Sequence, residues 1–221
     1  MELFGHTKDV IRANYFYLME RMCPSKISDA HDIPIIINNY NRLTMLKKLI
    51  DSLTSRGYTN IVILDNQSTY PPLLEWYAKC EFEVIRLPKN YGFKALWKYA
   101  PVRKRFCSDY YIYTDPDVQL SPECPADVIE RMFHILKCKR KKAFKIAPSI
   151  RITDLPDCYE HKQDAIDFES KYFKEKTEED GLTLYRAPID TTFSLYRPRI
   201  GLSRRYYINS ARQVTMWSTK K

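Results

Sequence analysis

The 221-residue chain is 44% hydrophobic and 14% aromatic, which supplies enough apolar material for a folded core and excludes an intrinsically disordered protein. Its longest apolar runs, at residues 33–37 and 61–64, are far shorter than the roughly 18 residues of a membrane-spanning helix. The first twenty residues carry charges throughout and lack the apolar segment of a secretory signal, so we expect a cytoplasmic protein.

The net charge of +9 is concentrated at the end of the chain. Seven basic residues and no Asp or Glu lie in residues 197–221, which leaves a net charge of only +2 for residues 1–196. Nucleic acid, an anionic membrane surface and a phosphorylated small molecule all attract such a segment. We expect no nucleic-acid binding, because none of the standard nucleic-acid motifs is present.

Six cysteines lie far apart, without a Cys-x-x-Cys pair and without histidines at zinc-binding spacing. A chain of this length does not need disulfides to stabilise it. We therefore interpret the cysteines as reduced thiols that mostly fill the core.

Hydrophobic periodicity predicts the element order βαβαβαβ in the first half of the chain. The predicted strands cover residues 33–37, 61–64, 82–87 and 110–114, and the predicted helices cover residues 43–53, 71–77 and 95–99. Continuous apolar strands that alternate with helices through short loops are typical of a parallel, doubly wound sheet.

Polar clusters follow the carboxyl ends of all four predicted strands. Because the carboxyl ends of parallel strands lie at one edge of a sheet, these clusters should converge on one rim, where ligands bind in this architecture. No Gly-x-Gly-x-x-Gly follows the first strand and no P-loop motif occurs, so we expect neither a Rossmann dinucleotide site nor a P-loop. The clusters are residues 38–42, 65–68 and 90–92, and Asp115 with Asp117.

Asp115-Pro116-Asp117 places two carboxylates at a rigid turn directly after the fourth strand. Two hard oxygen ligands suit Mn²⁺ or Mg²⁺ shared with a diphosphate. Aspartates beside proline are also common turn residues. The position of the pair after a buried strand favours the metal site.

Taken in order, these segments resemble the GT-A fold nucleotide-sugar glycosyltransferases, and within them the inverting family 2 type of bacterial polysaccharide and lipopolysaccharide synthesis. The resemblance implies an α/β fold with a Rossmann-like, doubly wound, mostly parallel sheet flanked by helices and a smaller acceptor-side subdomain. The matching segments are Asn39-Tyr40-Asn41-Arg42 and residues 63–69, 90–92, 114–118 and 189–197.

We expect one GT-A domain over residues 1–221. Its parts are a helical arm at 1–30, a nucleotide-sugar-binding half at 31–120, an acceptor-side half at 121–196 and a basic C-terminal tail at 197–221.

The resemblance implies metal-assisted transfer of a sugar from a UDP-sugar to a hydroxyl of a glycan or glycolipid, with inversion. Asp65 would accept a hydrogen bond from uracil, and Asp115 and Asp117 would hold Mn²⁺ or Mg²⁺. The residues implied in nucleotide-sugar binding are Asn39, Tyr40, Arg42, Asp65, Asn90, Gly92, Asp115 and Arg212.

Inversion requires a carboxylate that takes the acceptor proton on the face of the sugar opposite the diphosphate. Asp190 is the first candidate and Glu169, in an aromatic-rich segment, is the second. Asp190 beside Thr191 also suits a helix cap or a turn.

The sequence departs from the family pattern in two places. Many family 2 members have two aspartates and a glycine where this chain has Asp65-Asn66-Gln67, and Gln213 stands where a related subset has a histidine. A catalytically weak or inactive module of the same fold that binds a sugar nucleotide or a polyanion is therefore the alternative function.

Two anions are candidates for the basic tail. The donor diphosphate would pair with Arg212. Acidic phospholipid would bring the protein to the inner face of a membrane as a peripheral protein. The cations for that contact are Arg199, Arg204, Arg205, Lys220 and Lys221.

Overall fold

The computed structural model describes residues 2–139, 143–149, 151, 155–170, 173, 175–179, 181–186, 192–202 and 213–217. The helices are α1 (Glu2–Met22), α2 (Thr44–Thr54), α3 (Pro71–Tyr77), α4 (Ala95–Lys98), α5 (Ala100–Phe106), α6 (Val128–His134) and α7 (Lys162–Ser170), and a π-helical turn, Ile135–Lys139, extends α6. The strands are β1 (Ile35–Asn39), β2 (Ile61–Asp65), β3 (Glu83–Arg86), β4 (Tyr111–Thr114), β5 (Lys145–Pro148), β6 (Lys176–Glu179), β7 (Leu182–Arg186), β8 (Ser194–Tyr196) and β9 (Gln213–Trp217).

Within the described residues the strands form one sheet in the order β3-β2-β1-β4-β8-β5-β9-β7-β6. Strands β1 to β4 pair in parallel, as the βαβαβαβ pattern predicts. Beyond β4 the sheet is mixed. Strand β8 pairs antiparallel with both β4 and β5, whereas β5 and β9 pair in parallel. The predicted α/β class with a doubly wound sheet is confirmed.

Strands β1 and β2 are buried on both faces, which explains their continuous apolar sequences. Alternate side chains enter two separate cores: Ile35 and Ile37 pack in one, and Ile36 packs in the other. Strand β1 begins two residues later than predicted and extends through Asn39, because its pairing with β2 continues to Asp65. Asn38 and Asn39 therefore belong to the strand rather than to the loop after it.

Helix α1 is attached to the sheet by a buried ion pair. Arg197, which is 2% exposed, donates to the Glu20 carboxylate of α1 and to the carbonyl oxygens of Leu136 and Ala143. Arg199 donates to the carbonyl oxygen of Cys23, just after α1, at 2.8 Å. Two of the seven cations in the basic tail are thus bound by the protein itself, and the other five lie outside the described residues.

Each of the six cysteines is a free thiol. Cys107 is buried, and burial raises the pKa of its thiol to about 12. The expectation that the cysteines mostly fill the core is wrong, because Cys23, Cys138 and Cys158 are exposed.

No helix among the described residues combines the length and the apolar composition that crossing a bilayer requires.

Gly201 lies against the ring of Trp97 with φ +91°. A Cβ there would overlap the Trp97 indole and lie 2.9 Å from the Tyr111 hydroxyl oxygen. We expect Gly201→Ala to lower the free energy of unfolding by roughly 2–4 kcal/mol, from steric overlap and a disfavoured backbone conformation together. Urea denaturation measures the loss.

Gly181→Ala is the matched control for this substitution. Gly181 has φ +72°, but a Cβ there meets nothing within 4 Å. It should therefore lose only the cost of the backbone conformation, about 1–2 kcal/mol. Equal losses for the two variants would mean that Trp97 moves aside without cost.

Candidate active site

Three parallel strands end level at one edge of the sheet. Asn39 at the end of β1 is in register with Asp65 at the end of β2, and Asp65 is in register with Arg86 at the end of β3. The neighbouring strand β4 ends at Thr114, directly before Asp115. The predicted convergence of the polar clusters on one rim is observed, since residues 90–92 after β3 are hydrogen-bonded to Asn38 and Asn66.

The Asp65 carboxylate lies at the centre of this rim and is fully buried. It accepts hydrogen bonds from the Ser68 backbone N–H at 3.2 Å, from Arg86 Nε at 3.2 Å and from the Tyr77 hydroxyl at 3.4 Å. The Arg86 side chain is 56% exposed, so it is the partner that a ligand arriving from solvent meets first.

Tyr77 and Arg86 were not predicted as site residues. Burial, with a smaller contribution from the charge of Asp65, raises the pKa of Tyr77 above its ordinary value, so the hydroxyl remains a donor. The same hydroxyl accepts from Asn39 Nδ2 at 2.7 Å. The sequence could have indicated Arg86 as a site residue, because Arg86 ends a strand and the polar residues that end parallel strands lie at one rim. The position of Tyr77 on a helix gives no such signal.

Asn41 fastens the loop after β1 to the loop after β2. It adopts a left-handed conformation with φ +54°, donates its backbone N–H to Ser68 Oγ at 2.9 Å and accepts at Oδ1 from the backbone N–H groups of Thr69 and Tyr70. The residues on either side of it, Tyr40 and Arg42, are exposed at the rim.

The turn after β3 is built by amide side chains. Asn66 accepts from the Tyr91 backbone N–H at 2.7 Å and donates to the Gly92 carbonyl oxygen at 3.0 Å. Asn90 accepts from the Gly92 backbone N–H at 2.8 Å, and Gly92 has φ +69°. Asn90 and Gly92 thus shape the turn itself. Asn66, which marks a departure from the family pattern, holds this turn against β2.

Two buried acceptors at the end of β1 have no hydrogen-bond partner among the described residues. They are the Oδ1 atoms of Asn38 and Asn39. Buried polar atoms in folded proteins are nearly always hydrogen-bonded, either within the protein or to water or a ligand. These two atoms therefore call for a donor that the described part of the chain does not supply.

Asp115-Pro116-Asp117 forms the turn after β4. The Phe193 backbone N–H donates to Thr114 Oγ1 at 3.2 Å, which ties this turn to the start of β8. Pro116 is buried, Asp115 is half-buried and Asp117 is exposed.

Asp117 opens onto a pocket of about 760 Å³. Arg151 in its wall forms a salt bridge of 2.5 Å with Glu123, and the hydrogen bonds from Arg151 lower the pKa of Glu123 to about 2. Pockets of 300–1,000 Å³ are typical of small-molecule sites. The lining residues are Asp117, Val118, Gln119, Leu120, Ser121, Pro122, Cys124, Pro148, Ser149, Arg151, Thr192 and Phe193.

The sequence matches the family model described as "Glycosyl transferase family 2" over residues 35–186, more than two thirds of the chain. The protein belongs to glycosyl transferase family 2. The predicted GT-A fold is therefore confirmed. The matched range begins with β1 and ends with β7, so it contains the whole observed rim.

A crystal structure of residues 1–349 of TarS from S. aureus is similar to this family 2 protein, with 14% sequence identity and a TM-score of 0.47. The match covers 85% of the present chain and 58% of the TarS chain. No curated protein matches the sequence.

The aspartate pair of this family 2 chain fits a divalent cation. No group of three or more His, Cys, Asp or Glu among the described residues could hold a metal by itself. Asp117 lines the open pocket and Asp115 is half-buried two residues before it, and Mg²⁺ and similar ions are commonly bound by one or two carboxylates together with substrate phosphates and water. The donor set thus suits an ion that arrives with a diphosphate.

The remaining predicted site residues are not brought to the rim by the described structure. Asp190 and Arg212 lie outside the described residues. Glu169 is half-buried on α7 and does not line the pocket beside Asp117. The roles of all three stay predictions.

Proposed function

We propose that this family 2 glycosyltransferase moves a sugar from a UDP-sugar to a hydroxyl of a glycan or glycolipid, with inversion and with Mn²⁺ or Mg²⁺. The observation that carries the proposal is the meeting of the Asp115-Pro116-Asp117 turn with a pocket of about 760 Å³ at the carboxyl ends of β4 and β5.

The rim formed by β1 and β2 is the proposed nucleotide site. The uracil imide N–H is a donor, and this rim offers buried acceptors on Asn38, Asn39 and Asp65. Tyr40 is 47% exposed beside them and presents an aromatic face on which a base can stack. Arg42 and Arg86 supply positive charge for the phosphates.

Asp115 and Asp117 are the proposed ligands of the cation. Such an ion, when bound, neutralises the negative charge that develops on the departing diphosphate. The buried Pro116 and the hydrogen bond between Thr114 and Phe193 fix the turn, so the carboxylates are positioned before the donor arrives.

The acceptor is proposed to enter the pocket walled by residues 117–122, Pro148, Ser149, Arg151 and Phe193. Its hydroxyl must lose a proton as it attacks the sugar. Asp190 is the first proposed base, and Glu169, which does not line this pocket, is the second. The Arg151–Glu123 ion pair keeps one wall polar and neutral overall, which suits a hydroxyl-rich acceptor.

The choice of nucleotide is tested by thermal denaturation with Mn²⁺ and a panel of UDP, GDP, CMP and dTDP. We expect UDP to raise the melting temperature most, since a ligand at one hundred times its Kd adds about 2.7 kcal/mol of stability. Asp65→Ala should erase the difference between UDP and the other nucleotides. Comparing nucleotides within one variant separates this effect from any general loss of stability.

Asp51→Ala is the control, because Asp51 is exposed on α2 away from the rim. It should retain the wild-type preference. Equal stabilisation by all four nucleotides would contradict the uracil assignment. Preferential binding of UDP without UDP release from any UDP-sugar and acceptor would instead favour the alternative of an inactive binding module.

The basic tail is proposed to act in two ways. Arg212 would pair with the leaving diphosphate, and Arg204 and Arg205 would contact acidic phospholipid. Arg212→Ala should lower turnover with a water-soluble acceptor, whereas Arg204→Ala with Arg205→Ala should leave that turnover unchanged.

A further inference from the structure

Four large apolar side chains form a stripe on the solvent side of α1. Ile11 is 63% exposed, Tyr15 54%, Leu18 56% and Met22 69%. An α-helix turns by about 100° per residue, so side chains at alternating spacings of four and three residues lie on one narrow face. We call these four residues the α1 stripe.

The opposite face of α1 is the one that packs on the protein. Ala13 and Phe16 are buried, and the Phe16 ring contacts the edge of Phe144 with the ring centroids 6.0 Å apart. Glu20 on the same side binds Arg197. The helix is therefore already anchored, and the α1 stripe faces away from the core.

Positive charge borders the α1 stripe. By the helical geometry, Arg12 and Arg21 lie on its two sides, whereas Glu20, the one carboxylate between residues 10 and 22, lies on the packed face. Lys26 is exposed just beyond the helix, and Lys137 lines one surface cavity of about 350 Å³ together with Arg21. Lys137 also donates to the carbonyl oxygen of Ile27, the residue after Lys26. The end of the stripe thus adjoins a basic cluster formed by Arg21, Lys26 and Lys137.

We propose that the α1 stripe and this basic cluster form a membrane-contact surface that lies in the headgroup region of an anionic bilayer. Apolar and aromatic side chains on one face with flanking Arg and Lys are the features of helices that lie in the membrane interface. Tyr15 combines an apolar ring with a polar hydroxyl, which suits this boundary.

A bilayer fits this surface better than a second copy of the chain. A coiled-coil seam normally extends over three to four heptads, whereas the α1 stripe covers about two within the part of the helix whose side chains the structure describes. Two α1 helices packed on their stripes would also bring basic side chains at the stripe borders, such as Arg21, close together. An anionic surface removes this repulsion.

The surface extends the contact proposed for the basic tail without depending on it or on transferase activity. Arg199 binds the Cys23 carbonyl oxygen, so the chain enters the tail beside the C-terminal end of α1. Separate variants distinguish the two contacts.

Cosedimentation of the full chain with vesicles tests the proposal. Wild type should pellet with vesicles that contain phosphatidylglycerol and much less with neutral phosphatidylcholine. Ile11→Ser with Leu18→Ser should weaken binding to the anionic vesicles at least about 10-fold, because two exposed apolar side chains no longer enter the interface. Arg21→Gln with Lys26→Gln should weaken it roughly 10–30-fold.

Met45→Ser is the matched control, since Met45 is 40% exposed on α2 and lies outside the stripe. It should bind vesicles as wild type does. Unchanged binding by both α1 double variants, with loss on changing Arg204 and Arg205, would overturn the proposal in favour of the tail alone. A wild-type dimer in analytical ultracentrifugation that Leu18→Ser converts to a monomer, without vesicle binding, would overturn it in favour of a second copy. No sugar donor is present in these measurements, so a negative result would contradict the membrane-contact surface without contradicting the proposed sugar transfer.

Discussion

Asp117→Asn should reduce Mn²⁺-dependent UDP release at least about 100-fold. Loss of an outer-shell partner already costs up to about 100-fold in metal affinity or activity, and Asp117 is proposed as a direct ligand. Asp115 and Asp117 are the two carboxylates proposed to bind the cation, so the change would remove half of the negative charge that this pair offers. Turnover over a series of Mn²⁺ concentrations, and protection by UDP with and without Mn²⁺, measure the effect.

The side chain of Asp117 is exposed, so the variant should keep the wild-type melting temperature within the small range of surface substitutions. Asp115→Asn should lose activity to a similar degree. Asp51→Asn removes an exposed aspartate from α2 and should leave the Mn²⁺ dependence unchanged. Full wild-type turnover in EDTA would contradict a metal role and would mean that arginines alone neutralise the diphosphate.

Arg197→Met should lower the free energy of unfolding by about 3–5 kcal/mol, the cost of breaking a buried ion pair by removing one partner. The guanidinium donates to Glu20 of α1 and to the carbonyl oxygens of Leu136 and Ala143. Arg197 directly follows strand β8, so these bonds connect α1 to the sheet. Its loss leaves Glu20 and two carbonyl groups without this donor. The melting temperature should fall by roughly 6–20 °C.

Arg199→Met provides the comparison, because Arg199 is half-buried and its side chain donates one hydrogen bond within the described residues, to the Cys23 carbonyl oxygen. It should lose only about 1 kcal/mol. The double variant Glu20→Met with Arg197→Met should be more stable than the sum of the single losses implies, because neither charge is then left unpaired. Additive losses would show that Glu20 and Arg197 do not stabilise each other.

Local sequence pattern determined the first half of the fold. The apolar runs around Ile36 and Ile63 specified buried strands, and the spacing of Leu46, Leu49 and Leu53 specified the helix between them. Such patterns act over a few residues, and the parallel βαβ arrangement follows from them with little further information. The same reasoning placed Asp65 and Asp115 at the carboxyl ends of strands, and the order of the motifs indicated the family.

The tertiary structure alone decided the partners of those residues. Tyr77 and Arg86 bind Asp65 from 12 and 21 residues away in the sequence, and Arg197 binds Glu20 from 177 residues away. The insertion of β8 between β4 and β5 likewise joins distant segments. A sequence records which side chains can form hydrogen bonds or ion pairs, but many pairings satisfy the same chemistry. Two cations of the basic tail, Arg197 and Arg199, are bound within the protein, and this follows only from the packing of α1 against the sheet. Arg197 is buried there, and a buried charge without a partner costs too much free energy to persist.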